Sequence, residues 1–163
     1  MSNKNTPTIL PGDPGMRWYK ALTYAVLFLI AAFFVSEGLY YSSGNIYISS
    51  GLTWEQVNSY YDAHAGLKTL DVAYGVACIL VAVALMLTRH FLVKFHHLAP
   101  MMLLIVPLVG AACSIGYSFA AYATIGSSLT EALPFAATMF VLVTAFTVGN
   151  RIYFKKRDDM FYT

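Results

Sequence analysis

Apolar residues run almost without interruption through four stretches of the chain, roughly 21–35, 72–87, 101–121 and 133–148. A half-buried strand alternates polar and apolar side chains at a period of two, and none of these stretches does. The same continuity excludes an outer-membrane barrel, whose short strands also alternate. A hydrocarbon layer about 30 Å thick needs about 20 helical residues to cross it. The second stretch is short by that measure and is extended by Thr69, Leu70 and Thr88. The pattern therefore predicts an all-α integral membrane protein, a four-transmembrane-helix bundle. Its helices are placed at about 18–41, 67–88, 98–122 and 131–154, within a single membrane domain over 18–154.

The segments between these runs mark their ends. Residues 1–17 are rich in Pro, Gly, Asn and Thr and are expected to form a disordered tail. Trp18 and Tyr19, and 22 residues later Tyr40 and Tyr41, bracket the first run with amphipathic rings suited to the two headgroup layers. Ser42-Ser43-Gly44-Asn45 stops that helix and opens the longest connection, 42–66. Within it, Thr53 followed by Gln56 has the spacing of a capping box. Val57, Tyr60, Tyr61 and His64 then fall at helical spacing, so a short amphipathic helix is expected over about 54–64. Pro100 suits the first turn of the third span, where its missing N–H has no consequence. Pro107 lies inside that span and is expected to kink it. A short turn over 123–130 leads into the fourth span, and 155–163 forms a second solvated tail.

Composition agrees: 58% of residues are hydrophobic and 11% charged, against about a quarter charged in soluble domains. The net charge of +2 becomes informative only when read by segment. Nine of the ten lysines and arginines lie at the start of the chain, between the second and third runs, and at its end; Lys68 is the exception. Basic residues stay on the cytoplasmic side. Both termini are therefore expected to be cytoplasmic and the 42–66 connection to lie outside, in a plasma (inner) membrane. Nothing in this distribution suits nucleic acid. The first run ends in Val35-Ser36-Glu37-Gly38 rather than a small-x-small cleavage site, so it is expected to be retained. No lipidation motif is present.

Candidate chemistry is sparse. Pumps and proton-coupled carriers place ionisable groups deep in the bundle, whereas the acids here share one depth. Glu37 lies 19 residues beyond Trp18, Asp71 18 before Arg89, and Glu131 20 before Arg151. At 1.5 Å per residue each stands about 27–30 Å from the inner boundary. With Asp62, His64 and Lys68 they form a candidate outer polar cluster, read either as a cation site or as interfacial ion pairing. Lys68 is the expected partner of Asp71 and of Glu37, which otherwise sits on the unfavourable side of a helix dipole.

Cys78 and Cys113 lack a CxxC or metal-ligand spacing and read as packing residues. His90, His96 and His97 fall in the basic connection rather than inside spans, which argues against haem. Gly110, Ser114 and Ser118, with Gly116 on the adjacent stripe, form a small-residue face for close helix packing. Trp54, Tyr60 and Tyr61 are candidate partner contacts. Val148, Tyr153 and Lys155 match a proposed sterol pattern and serve equally as an interface anchor. No catalytic set, metal site or nucleotide-binding fingerprint is present, and no cofactor is identified. The sequence supports a small polytopic membrane protein, non-enzymatic, acting as an accessory subunit or a binder of a membrane component. Its partners are the lipid bilayer and either another membrane protein or a second copy. The rivals are a small transporter or channel with an acidic mouth, and a lipid-modifying enzyme.

Overall fold

The computed structural model describes residues 16–157 and Phe161, with Glu131 described by its backbone alone. Most of both expected tails lies outside the described residues. Among the described residues four helices are long and apolar enough to cross a membrane: α1 (Arg17–Ser42), α4 (Leu67–Val93), α5 (Ala99–Thr124) and α6 (Leu133–Lys155). The chain is thus all-helical and has the make-up of a multi-pass membrane protein. Two shorter helices, α2 (Asn45–Ser49) and α3 (Trp54–Ala63), fill the connection between α1 and α4. The end of the bundle carrying them is called the loop end here, and the opposite one the basic end.

The boundaries have local causes. Thr53 accepts a hydrogen bond from the Gln56 backbone while the Gln56 side chain returns one to Thr53, closing the capping box that starts α3. Gly66, at φ 92°, turns the chain into α4 through a left-handed conformation that a β-carbon would oppose. Pro100 sits in the first turn of α5, and Pro107 is accommodated within the same continuous helix. A 3-10 turn, Leu129–Ala132, precedes α6. Inside α1, residues Leu22–Val26 form one turn of π-helix, a feature without a sequence signature.

The spans pack as a row: α1 against α4, α4 against α5, and α5 against α6. The tightest approach is between α1 and α4. A β-carbon on Gly75 would stand 2.6 Å from the Gly38 carbonyl oxygen, and one on Gly38 would stand 2.7 Å from that of Gly75. Two backbones meet there with no side chain between them. Gly110 plays a lesser version of this role, since a β-carbon on it would lie 2.9 Å from the Phe34 ring. Gly116 has no atom of another element within 4 Å of such a position, so the small-residue stripe packs through Gly110 and Ser114 and not through Gly116.

Helix α6 is the outlier. Only 6% of its apolar stretch is buried, against 33–39% in the other three spans. It leans on α5 and is tied to α1 at the basic end, where the Trp18 indole N–H donates to Asn150 at 3.0 Å and the Tyr19 backbone N–H donates to the Tyr153 hydroxyl at 3.3 Å. The same end is filled by Leu22, Leu27, Leu85, Leu92 and Leu103, all fully buried. Tyr19 stacks on Phe95 at 5.4 Å and donates to the Leu92 carbonyl at 2.6 Å. Phe95 adopts φ 52°, an uncommon conformation for an aromatic residue, which turns the chain between α4 and α5. Phe161 closes over Phe95 and Phe154.

Candidate functional site

The loop end is built around Asp71. Placed in the second turn of α4, its side chain is 0% exposed. A carboxylate removed from water needs donors, and three tyrosine hydroxyls supply them. Tyr47 of α2 and Tyr61 of α3 donate to Oδ2 at 3.0 and 2.9 Å, and Tyr117 of α5 donates to Oδ1 at 2.7 Å. One carboxylate thus ties both short helices and α5 to α4. The phenols of Tyr47 and Tyr61, which lie outside the spans, are held above their ordinary value, first by burial and then by the charge of Asp71 and the hydrogen bond each makes to it.

Below this node Tyr74 and Tyr117 stack at 4.2 Å with an interplanar angle of 15°. Tyr41 of α1 meets both rings edge-on, at 5.0 and 4.9 Å. The Tyr74 hydroxyl is 2.9 Å from the Ser114 hydroxyl, which satisfies two polar groups deep in the apolar layer. These rings form one wall of a chamber of about 370 Å³. Ser118 and Tyr122 of α5, Phe135 of α6, and Ile46 and Tyr60 of the short helices line it as well. Half of the lining residues are aromatic, and the single charged one among them is Glu37. Glu37 stands one residue from the Gly38–Gly75 approach, and its buried Oε2 has no hydrogen-bond partner. Together with Tyr41 and Ile46 it also lines a second groove, shared with Phe33, Ser36 and Tyr40 on the outside of α1.

The residues singled out in the sequence part company here. Asp71 and Glu37 both face the interior, but neither pairs with Lys68, whose ammonium lies 6.0 Å over the Tyr61 ring at the surface. Asp62 is exposed, and His64 is half-buried with its ring 4.6 Å from Tyr60. The Glu131 side chain lies outside the described residues. Of the three aromatic contact candidates, Trp54 is 55% exposed. Tyr60 packs on Tyr47 at 5.4 Å and Tyr61 is committed to Asp71, so both turn inward. Ser114 and Ser118 border the chamber.

Tyr41, Tyr47 and Tyr117 carry the site. The sequence marks Tyr117, with Tyr74, as a hydroxyl at mid-to-outer depth that needs a partner, and Tyr41 as an interface ring, but nothing in it groups them with Tyr47. The two cysteines are free thiols, Cys78 buried and Cys113 half-buried. Among the described residues no group of His, Cys, Asp and Glu has the geometry of a metal site. His96 stacks between Phe91 and His97 at 4.9 and 4.4 Å and accepts the Leu98 N–H, which serves the turn between α4 and α5. Comparison with protein-family models, curated proteins and solved structures finds no match for this chain.

Proposed function

We propose that this protein is a non-enzymatic binder of a membrane component. On this reading it sits in a plasma membrane with both termini cytoplasmic and takes up a small amphiphile at its outward-facing loop end. The observation that carries the reading is the aromatic chamber at that end. Its size lies at the lower end of the range for small-molecule sites, and its lining is largely apolar with a few convergent polar groups. Helices α1 and α6 do not pack together extensively on that side, so the chamber is flanked by lipid rather than sealed from it.

The inward-facing Glu37 and Asp71 also favour the transporter reading to a degree. The basic end weighs against it, because among the described residues five fully buried leucines and the Tyr19–Phe95 stack fill that end. One-sided access suits a binder or an accessory subunit presenting a ligand. The test is native mass spectrometry of protein released from its own membrane, alone and with Ser118→Phe, which fills the chamber. The wild type is expected to carry a bound amphiphile that the filled variant has lost. An empty wild type, or equal occupancy of both, would overturn the reading.

A further inference from the structure

The chamber is selective in its charge as well as in its shape. We infer that its ligand is an organic cation, an alkylammonium amphiphile whose head lies against Glu37 beside the cluster of Tyr41, Tyr74 and Tyr117. This deepens the binding reading above and rests on it. Four observations converge.

The first is the lining: no lysine, arginine or histidine faces the chamber among its described lining residues, and Glu37 is the one acidic residue among them. A phosphate or carboxylate head would find no counter-charge there. The second is the Glu37 Oε2 atom, buried without a donor. An unsatisfied carboxylate oxygen in a low-dielectric setting is costly, and a cation supplies what the protein withholds. Asp71 is not available for that role, since three tyrosine hydroxyls already occupy its two oxygens.

The third is the arrangement of rings. Tyr74 and Tyr117 are stacked, with Tyr41 set edge-on to both, so the three rings form one contacting cluster that lines the chamber together with Glu37. Aromatic faces attract ammonium groups through their quadrupoles, and aromatic boxes are a recurring solution for quaternary ammonium recognition. The Tyr117 hydroxyl donates a hydrogen bond to Asp71, which leaves its ring richer in electrons and its face more attractive to a cation. The fourth is the groove on the outside of α1. Glu37, Tyr41 and Ile46 belong to both cavities, and Phe33, which lines the groove, is 56% exposed on the lipid side. A head held at Glu37 would therefore leave its tail along α1, in contact with lipid.

The experiment uses the full chain in nanodiscs of zwitterionic lipid, with protein-free nanodiscs subtracted. Three radiolabelled probes are compared: dodecyltrimethylammonium, the neutral dodecanol of the same tail, and tetramethylammonium, which has the head alone. The wild type is expected to bind dodecyltrimethylammonium at one saturable site, about tenfold or more tighter than dodecanol, as one cation–π and ion-pair contribution implies. Glu37→Gln, which keeps the side-chain shape, should erase that preference and leave dodecanol binding unchanged. Ser118→Phe should abolish saturable binding of both long probes while Glu37 remains in place.

Equal binding of the two long probes by the wild type, or a cation preference that survives Glu37→Gln, would overturn the cation assignment and leave the binder reading standing. Tetramethylammonium binding as tightly as the long cation would overturn the amphiphile, placing the source of the ammonium in water. Absence of saturable binding for every probe would overturn this inference. The binding reading would then fall separately if native mass spectrometry also found the chamber empty.

Discussion

At the basic end, rings fill space: Tyr19, Phe95, Phe154 and Phe161 pack face to face or edge to face over a layer of buried leucines. At the loop end, rings of the same kind border space, because Tyr41, Tyr74, Tyr117, Tyr122 and Phe135 all line a chamber of about 370 Å³. The difference lies in what the polar atoms are bonded to. Tyr19 and Trp18 spend their donors on a backbone carbonyl and on Asn150, which draws α4 and α6 onto α1. Tyr47, Tyr61 and Tyr117 spend theirs on one buried carboxylate, which fixes the short helices and α5 while leaving α6 uninvolved. A closed end and an open one follow from where the hydrogen bonds converge.

Removing the convergence point should break the comparison most severely. Asp71→Ala takes the acceptor from three half-buried hydroxyls, and unsatisfied buried groups cost about 1–3 kcal/mol each. A loss of about 3–5 kcal/mol is expected in reversible unfolding from mixed micelles, with α2 and α3 becoming sensitive to protease before the spans do. Unchanged protease resistance of residues 45–63 would show that Asp71 does not hold the short helices.

Gly75→Ala comes next. It forces a methyl group against the Gly38 carbonyl in a contact with no flexible side chain to yield. An overpacking cost of about 1–3 kcal/mol is expected, together with loss of ligand retention as Glu37 moves with α1. Gly116→Ala, in open space, is the matched control and should be neutral by the same measurement.

Loosening the basic end should matter less. Asn150→Leu removes the acceptor of the Trp18 indole, and interhelical hydrogen bonds in membranes are worth about 0.6–1.7 kcal/mol. The expected result is a midpoint lowered by a few degrees, with chamber occupancy unaffected. A loss of occupancy would mean that the two ends are coupled. The smallest effect concerns pH. Because Tyr47 and Tyr61 titrate above their ordinary value near 10 in the folded protein, their contribution is complete below that value. It declines as pH rises through the raised folded values, since unfolded phenols ionise first. Tyrosinate absorbance should therefore show fewer phenols ionising near pH 10 in the folded wild type than in Asp71→Ala; identical titrations would argue against the shared node.

The four spans were legible because a long apolar run in a membrane protein has few alternatives. The capping box at Thr53 and Gln56 was equally legible, because its two hydrogen bonds are made within four residues. Depth was readable only to about a turn: counting residues from Trp18 and Arg89 puts Glu37 and Asp71 at one level, whereas the meeting of Gly38 with Gly75 sets Glu37 below Asp71. Azimuth was not. Whether Asp71 faces Lys68 or Tyr117 depends on how three helices rotate about their axes, and an apolar run without a clear polar face carries little rotational information. The same gap hid Gly38 and Gly75, single glycines in two different runs whose meeting is a matter of tertiary register. It also made Tyr60 and Tyr61 look like surface contacts when α3 turns them inward.

The π turn at Leu22–Val26 has a consequence for how α1 is indexed. A π turn accommodates one residue more than an α turn, and it leaves the carbonyl ladder locally out of step. Here the Thr23 carbonyl is taken by the Arg89 side chain of α4 at 2.8 Å, while the guanidinium rests 4.3 Å over Phe28. The turn therefore acts as a phase adjuster between two halves of one helix. Below it Trp18 and Tyr19 point at α6 and α4, and beyond it Glu37 and Gly38 point at the chamber and at Gly75. Were residues 22–26 wound as ordinary α-helix with none removed, everything after them would turn by most of one residue's step of about 100°. The carboxylate would swing away from the chamber without a single change of sequence.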